Sequence, residues 1–177
     1  MAKRVVVTGL GAVTPLGNTV EAFWTHALAG KSGIARITHF DPGQYDSQIA
    51  GEVRDFDPSA VVERKEARHM DPFVQFGLVA AQEAITHAAL DLAHEDRDRI
   101  GVVIGSGIGG INAFETQHTN LIQKGPSRVS PFLIPMMIPN MVAGHLAIKL
   151  GLRGPNSCPV TACASGNNAF AEATRWI

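Results

Sequence analysis

The run Pro155-Asn156-Ser157-Cys158-Pro159-Val160-Thr161-Ala162-Cys163-Ala164-Ser165-Gly166 holds the residues best suited to chemistry. It sets a thiol where an apolar, strand-like stretch gives way to small residues that can start a helix. A cysteine at a helix N-terminus faces unpaired backbone N–H groups and the positive end of the helix dipole, and both favour thiolate over thiol. An unperturbed cysteine has a pKa of roughly 8.5, so little of it is thiolate at neutral pH. Cys163 is therefore the candidate nucleophile, and Ala162, Ala164, Ser165 and Gly166 leave room for a substrate beside it. Cys158 falls at the end of a strand. It reads as a buried structural thiol, because free cysteine is among the most buried residue types.

A second chemical candidate is the glycine cluster Gly105-Ser106-Gly107-Ile108-Gly109-Gly110. Gly105, Gly107 and Gly110 stand at G-x-G-x-x-G spacing after a strand, as in dinucleotide sites. That pattern also calls for an acidic residue about 20 positions on, and Lys124, Gly125 and Pro126 supply none. Two other readings stand beside it. The cluster can be a tight strand-to-helix turn that needs positive φ, or a turn that projects Ile108 into a hydrophobic pocket.

These residues need elements to hold them. Residues 3–8 are valine-rich and suit a strand buried on both faces. Asn18 or Thr19 can cap a helix to about Leu28, with Gly30 where a C-terminal cap belongs. Residues 32–58 are loop-rich, with a short strand over 48–53. Asp71-Pro72 starts a long, buried, alanine-rich helix over 73–90. A strand over 99–105, a helix over about 111–122, an irregular apolar stretch over 126–139 and a helix over 140–150 ended by Gly151 follow. Strands alternating with helices imply an α/β layer structure with a largely parallel sheet.

Composition narrows the function classes. The chain has 177 residues, 45% of them hydrophobic, which fits one domain with a real core. A net charge of −1 gives no reason to expect nucleic acid as a partner. No window of 18 uninterrupted apolar residues occurs, so no membrane-spanning helix is expected. The N-terminus is too short and strand-like for a signal peptide. Two cysteines alone make no zinc site, and a disulfide is not expected in a reducing compartment. The chain reads as cytoplasmic, with no metal and no cofactor.

Thr161-Ala162-Cys163-Ala164-Ser165-Gly166 resembles the active-site signature of the β-ketoacyl-acyl-carrier-protein synthases, which have the thiolase fold. The likeness runs along the whole chain. It takes in Val5-Val6-Val7-Thr8-Gly9-Leu10-Gly11, Lys31-Ser32-Gly33-Ile34, Ile104 to Gly110, Asn140-Met141-Val142-Ala143-Gly144-His145 and Gly151-Leu152-Arg153-Gly154-Pro155. It is strongest to the type II members of bacterial fatty acid synthesis. The resemblance implies a layered α/β/α/β/α fold of which residues 1–177 form part of the first half, ending inside the helix after the nucleophile.

It also implies a mechanism. Cys163 would take an acyl chain from acyl carrier protein as a thioester. Malonyl-carrier protein would lose carbon dioxide, and its carbanion would attack that thioester. The Cys163 N–H would form half of an oxyanion hole. The other half and two assisting histidines belong, in the family, to a later part of the chain, so none of the seven histidines here receives a catalytic role. The acyl tunnel would be walled by Ala162, Ile108, Leu133 and Ile134, with Met137 coming from the partner of a homodimer. Met136-Met137 reads equally well as core packing. Lys65 and Arg68, within the stripe Arg64, Lys65, Arg68 and His69, would dock the acidic carrier; such a run is otherwise a solvated face.

The expected function is thus condensation of an acyl-thioester with malonyl-carrier protein in fatty acid elongation, with no activity from residues 1–177 alone. The alternative within the class is a ketosynthase of a polyketide pathway. A non-catalytic partner subunit would usually lack the cysteine, and an NAD-binding enzyme would need a nucleotide at Gly105–Gly110.

Overall fold

The computed structural model describes residues 4–177. Its core lies where helix α3, Pro72–His87, packs on helix α6, Met141–Leu150. Val74 and Leu78 from α3 and Val142 and Leu146 from α6 are fully or almost fully buried, together with Val62 and Met70. The two helices meet at Gly77, where an added Cβ would stand 2.3 Å from Val142 Cγ1. Burying side chains of this size contributes roughly 1.5–3 kcal/mol each, which makes this pair the anchor of the chain.

Beside it runs a short parallel ladder. Strand β3, Val102–Val103, pairs with strand β4, Asn156–Ser157. Hydrogen bonds extend the pairing in both directions, from Gly154 N–H to Ile100 O at 3.1 Å through to Ser106 N–H to Pro159 O at 3.2 Å. Helix α7, Ser165–Trp176, packs on β3. Helix α4, Ile111–Lys124, leads through a 3₁₀ turn over Pro126–Arg128 to the five-residue helix α5, Leu133–Met137. Toward the N-terminus lie helix α1, Val20–Leu28, and a separate antiparallel ribbon of β1, Ile34–Arg36, with β2, Ile49–Gly51. A four-residue helix α2, Arg64–Ala67, precedes α3.

Several expectations held. Thr19, rather than Asn18, caps α1, its Oγ1 accepting from Ala22 N–H at 3.1 Å. Asp71 caps α3 with Pro72 in the first turn, and Gly151 ends α6 in the left-handed conformation. The strand over 48–53 exists as β2. Its partner β1 was read as loop, because three residues carry no periodicity of their own.

The N-terminal strand is a correction. Met1–Lys3 lie outside the described residues. From Arg4 onward the segment joins no ladder among the described residues, and Val6 and Val7 are 60% and 67% exposed. It lies along α3 instead. Leu10 N–H donates to His87 Nδ1 at 3.1 Å, and Ala12 N–H donates to Glu83 Oε2 at 2.8 Å. A valine run becomes a strand only where another strand satisfies its backbone, and no described segment does so here.

Candidate active site

The site begins at the carboxyl ends of β3 and β4. The two segments run parallel as far as Ser106 and Pro159 and then part. One becomes the glycine turn, the other the Thr161–Ala164 turn that holds Cys163. In open α/β sheets, ligands collect outside the carboxyl ends of parallel strands, and both candidate motifs open there.

Cys163 is exposed. It lies in a single 3₁₀ turn, Ala162–Ala164, directly ahead of α7. The expected place at a helix N-terminus is where Cys163 stands, one residue ahead of Ala164, the cap of α7. Ala162 has φ +49°, one of three non-glycine residues with positive φ among those described. A left-handed conformation at an L-residue costs roughly 1–2 kcal/mol, so the surroundings must hold it. Ser165 does so. Its Oγ–H donates to Ala162 O at 2.7 Å, and its Oγ accepts from Thr161 N–H at 2.9 Å. Asn168 Nδ2 donates to Thr161 Oγ1 at 2.7 Å. Ala164 N–H closes the turn on Thr161 O at 3.1 Å, and among the described residues no acceptor takes the Cys163 N–H.

The glycine turn wedges between this loop and α5. At Gly105 an added Cβ would stand 2.2 Å from Ser165 O, and at Gly110 2.1 Å from Met136 O. Gly110 N–H donates to Met137 O at 2.9 Å. Only Gly109 in this turn has positive φ, at +82°, so close approach dictates Gly105 and Gly110 more than turn geometry does. The nucleotide reading fails on the same contacts. Gly109 N–H is taken by Ser106 Oγ, and Asp71 Oδ2 accepts Ala113 N–H at 2.7 Å in the first turn of α4. A carboxylate already occupies the end of α4 where a phosphate would sit.

The expected pocket residues are brought together only in part. Ile108 leaves the turn between Ala162, which neighbours Gly107, and Met137, which neighbours Gly109. Leu133 and Ile134 lie on the same α5 that carries Met137. They line no closed tunnel. Ile108 is 71% exposed and Ile134 57%, Ala162 is exposed, and Leu133 and Met137 are half-buried. The expected dry channel is therefore an open apolar face, because no described segment lies over Ile108. A cavity of about 410 Å³ lies elsewhere, lined by Val62, Met70, Phe132, His145 and others.

Lys65 on α2 and Arg68 at its C-cap are exposed, with no ion pair among the described residues. His69 departs from the stripe: its ring stacks on Phe132 with centroids 4.0 Å apart. Cys158 is half-buried rather than fully enclosed, and burial raises its pKa. His145 lines the 410 Å³ cavity with Nε2 buried and unpartnered among the described residues, and burial lowers its pKa while Glu66 opposes the shift.

Sequence reasoning missed the contacts of Ser165, taken there only as a small residue leaving room for a substrate, and did not single out Asn168. Polar residues at the second and fifth positions after a nucleophile, just inside a helix, were the available signal.

Residues 2–177 match the family model described as "Beta-ketoacyl synthase, N-terminal domain". The chain is 52% identical over 175 residues to a 3-oxoacyl-[acyl-carrier-protein] synthase 2 of Synechocystis sp., covering 99% of this chain and 42% of that protein. It is 51% identical over 175 residues to the protein of the same name in Staphylococcus aureus strain COL, again covering 99% and 42%. Among solved structures, a ketosynthase in complex with a type II polyketide acyl-carrier protein superimposes with a TM-score of 0.82 at 26% identity, over 99% of this chain and 47% of that one. A β-ketoacyl synthase from Burkholderia phymatum gives 0.81 at 26%, over 98% and 43%. The chain thus spans less than half the length of the proteins it matches. These neighbours are thiolase-fold ketosynthases, and the layered α/β class expected from the sequence is the class of this chain.

Proposed function

This chain belongs to the β-ketoacyl synthase family through its amino-terminal domain, and on that premise we propose that Cys163 is the acyl acceptor of a decarboxylative condensation in fatty acid elongation. The observation that carries the proposal is the setting of Cys163. It is exposed, it follows a strained residue at the carboxyl ends of the parallel strands, and its own N–H is left free beside an apolar face. Cys163 sulfur attacks the carbonyl carbon of an acyl-thioester, and its amide receives the charge that develops on the oxygen. The carrier's sulfur leaves, and the acyl chain lies along Ile108, Met137 and Ala162. Malonyl-carrier protein then loses carbon dioxide, its carbanion attacks the acyl carbon, and the Cys163 thioester breaks, returning the sulfur as thiolate and leaving the lengthened chain on the carrier. No histidine hydrogen-bonds Cys163 among the described residues, and this reading assigns decarboxylation to groups outside these 177 residues.

Identity of 50–52% to several proteins named 3-oxoacyl-[acyl-carrier-protein] synthase 2, against 26% to the polyketide ketosynthase, supports the fatty acid reading over the polyketide alternative. The presence of Cys163 argues against a non-catalytic partner subunit. Acyl carrier protein, with Lys65 and Arg68 as its contacts, a homodimeric assembly and a cytoplasmic setting belong to the same proposal. No helix among the described residues is long and apolar enough to cross a membrane. Iodoacetamide labelling with peptide mapping tests the nucleophile: rapid alkylation confined to Cys163 supports the reading, and equal labelling of Cys158 counts against it.

A further inference from the structure

The backbone around Cys163 is held from one side by two side chains of α7 that no part of the mechanism above uses. Ser165 is 3% exposed, and its hydroxyl makes two hydrogen bonds in opposite senses, one from Thr161 N–H and one to Ala162 O. Asn168 adds a third tie, to the Thr161 hydroxyl. From the other side, the Gly105 backbone blocks Ser165 from retreating, with room for no side chain between them. The strained residue, Ala162, lies between these ties.

We propose that Ser165 and Asn168 are positioning residues that clamp the backbone on either side of Ala162, at the Thr161 N–H and the Ala162 carbonyl, and so aim the Cys163 N–H, which shares its peptide with that carbonyl, at the oxygen of the reacting carbonyl. The inference rests on the reading of Cys163 as acyl acceptor. The physical argument concerns what happens without the clamp. A left-handed alanine relaxes toward negative φ unless other contacts over-determine it. Rotation at Ala162 turns the next peptide, which carries the Cys163 N–H. An oxyanion donor works only when it is fixed about 2.7–3.1 Å from the developing charge, and losing one costs on the order of 10²–10³ in rate. The sulfur is exposed, and alkylation asks only for that access, not for an aimed N–H.

That asymmetry separates a positioning role from a merely structural one. Acyl transfer forms a thioester at Cys163 and breaks the donor's thioester, whose sulfur leaves and takes up a proton. It passes through a tetrahedral oxyanion. Alkylation by iodoacetamide displaces iodide and has no oxyanion. In the whole protein, both rates are measured for wild type and for Ser165→Ala, Thr161→Val and Thr161→Ser, with acylation from an acyl-carrier thioester followed by mass spectrometry. The clamp predicts that Ser165→Ala and Thr161→Val slow acylation about tenfold or more, leave alkylation within about twofold, and leave KM for the donor unchanged. Thr161→Ser, which keeps the hydroxyl, restores the wild-type rate. Thr161 is exposed, so its variants test the idea even if Ser165→Ala folds poorly. Acylation unchanged in both variants, or acylation and alkylation falling together, overturns the clamp. A wild-type protein that alkylates at Cys163 but never acylates overturns the underlying reading instead.

Discussion

Asp71 and Ala113 join two helices through one carboxylate: Asp71 Oδ1 accepts Phe73 N–H at the start of α3, while Oδ2 accepts Ala113 N–H, 2.7 Å away, at the start of α4. Gly110, the cap residue of α4, has no side chain to do this itself. Asp71 is 3% exposed, and removing it takes the acceptor from two helix-end donors, of which the one at Ala113 is buried. The lost cap at the part-buried Phe73 N–H costs about 0.5–2 kcal/mol, and stranding the buried Ala113 N–H about 1–3. Asp71→Ala is expected to destabilise the whole protein by about 2–4 kcal/mol in chemical denaturation. Asp71→Asn, which keeps one acceptor, should fall between it and wild type.

Two glycines of the same turn should behave oppositely. A methyl group at Gly105 would stand 2.2 Å from Ser165 O, whereas one at Gly107 would sit 3.4 Å from Ala162 O, an ordinary contact. Gly105→Ala is expected to cost about 1–3 kcal/mol by overpacking backbone against backbone. Gly107→Ala should change thermal stability by less than about 0.5 kcal/mol. Equal effects would mean that the turn does not press on α7 as described.

His145 gives a pH signature. Burial lowers its pKa in the folded protein, and Glu66 only partly offsets this. The unfolded chain titrates near the usual value of about 6.5, so below that pH it binds a proton that the folded state resists. Stability is therefore fully present above about pH 6.5 and falls as the pH drops below it. Denaturation midpoints at pH 7.5 and 5.5 should converge in His145→Gln relative to wild type. The Asp98–Arg153 pair acts at lower pH. Its hydrogen bond lowers the Asp98 pKa, so that contribution is lost only in the acid range below the usual carboxylate value, and it is small because both partners are exposed.

The docking proposal turns on Lys65 and Arg68, with Glu66 between them. Reversing both charges is expected to raise Kd for acyl carrier protein by about tenfold or more and to flatten its salt dependence. Glu66→Lys should shift binding the other way. Titrations at two ionic strengths check both.

The sequence made the helices legible wherever a cap and a period coincide, as at Asp71-Pro72 and at Gly151. It also singled out Cys163 from residue type and spacing. It could not show that Arg4 onward lies on α3 rather than in a ladder, because pairing is a property of the partner strand. The glycine turn was readable as special but not as a wedge, since the two backbones it separates, at Ser165 and Met136, are distant in sequence. The Ser165 clamp was hidden for the same reason: its hydrogen bonds acquire meaning only once Ala162 is known to be left-handed.

The most direct test is to offer the whole protein a stoichiometric acyl-carrier thioester, quench it, and map the acyl group by mass spectrometry. The account predicts one acyl thioester per chain, on the peptide containing Cys163, and none in Cys163→Ala. An acyl group on Cys158, or turnover that survives Cys163→Ala, would contradict it.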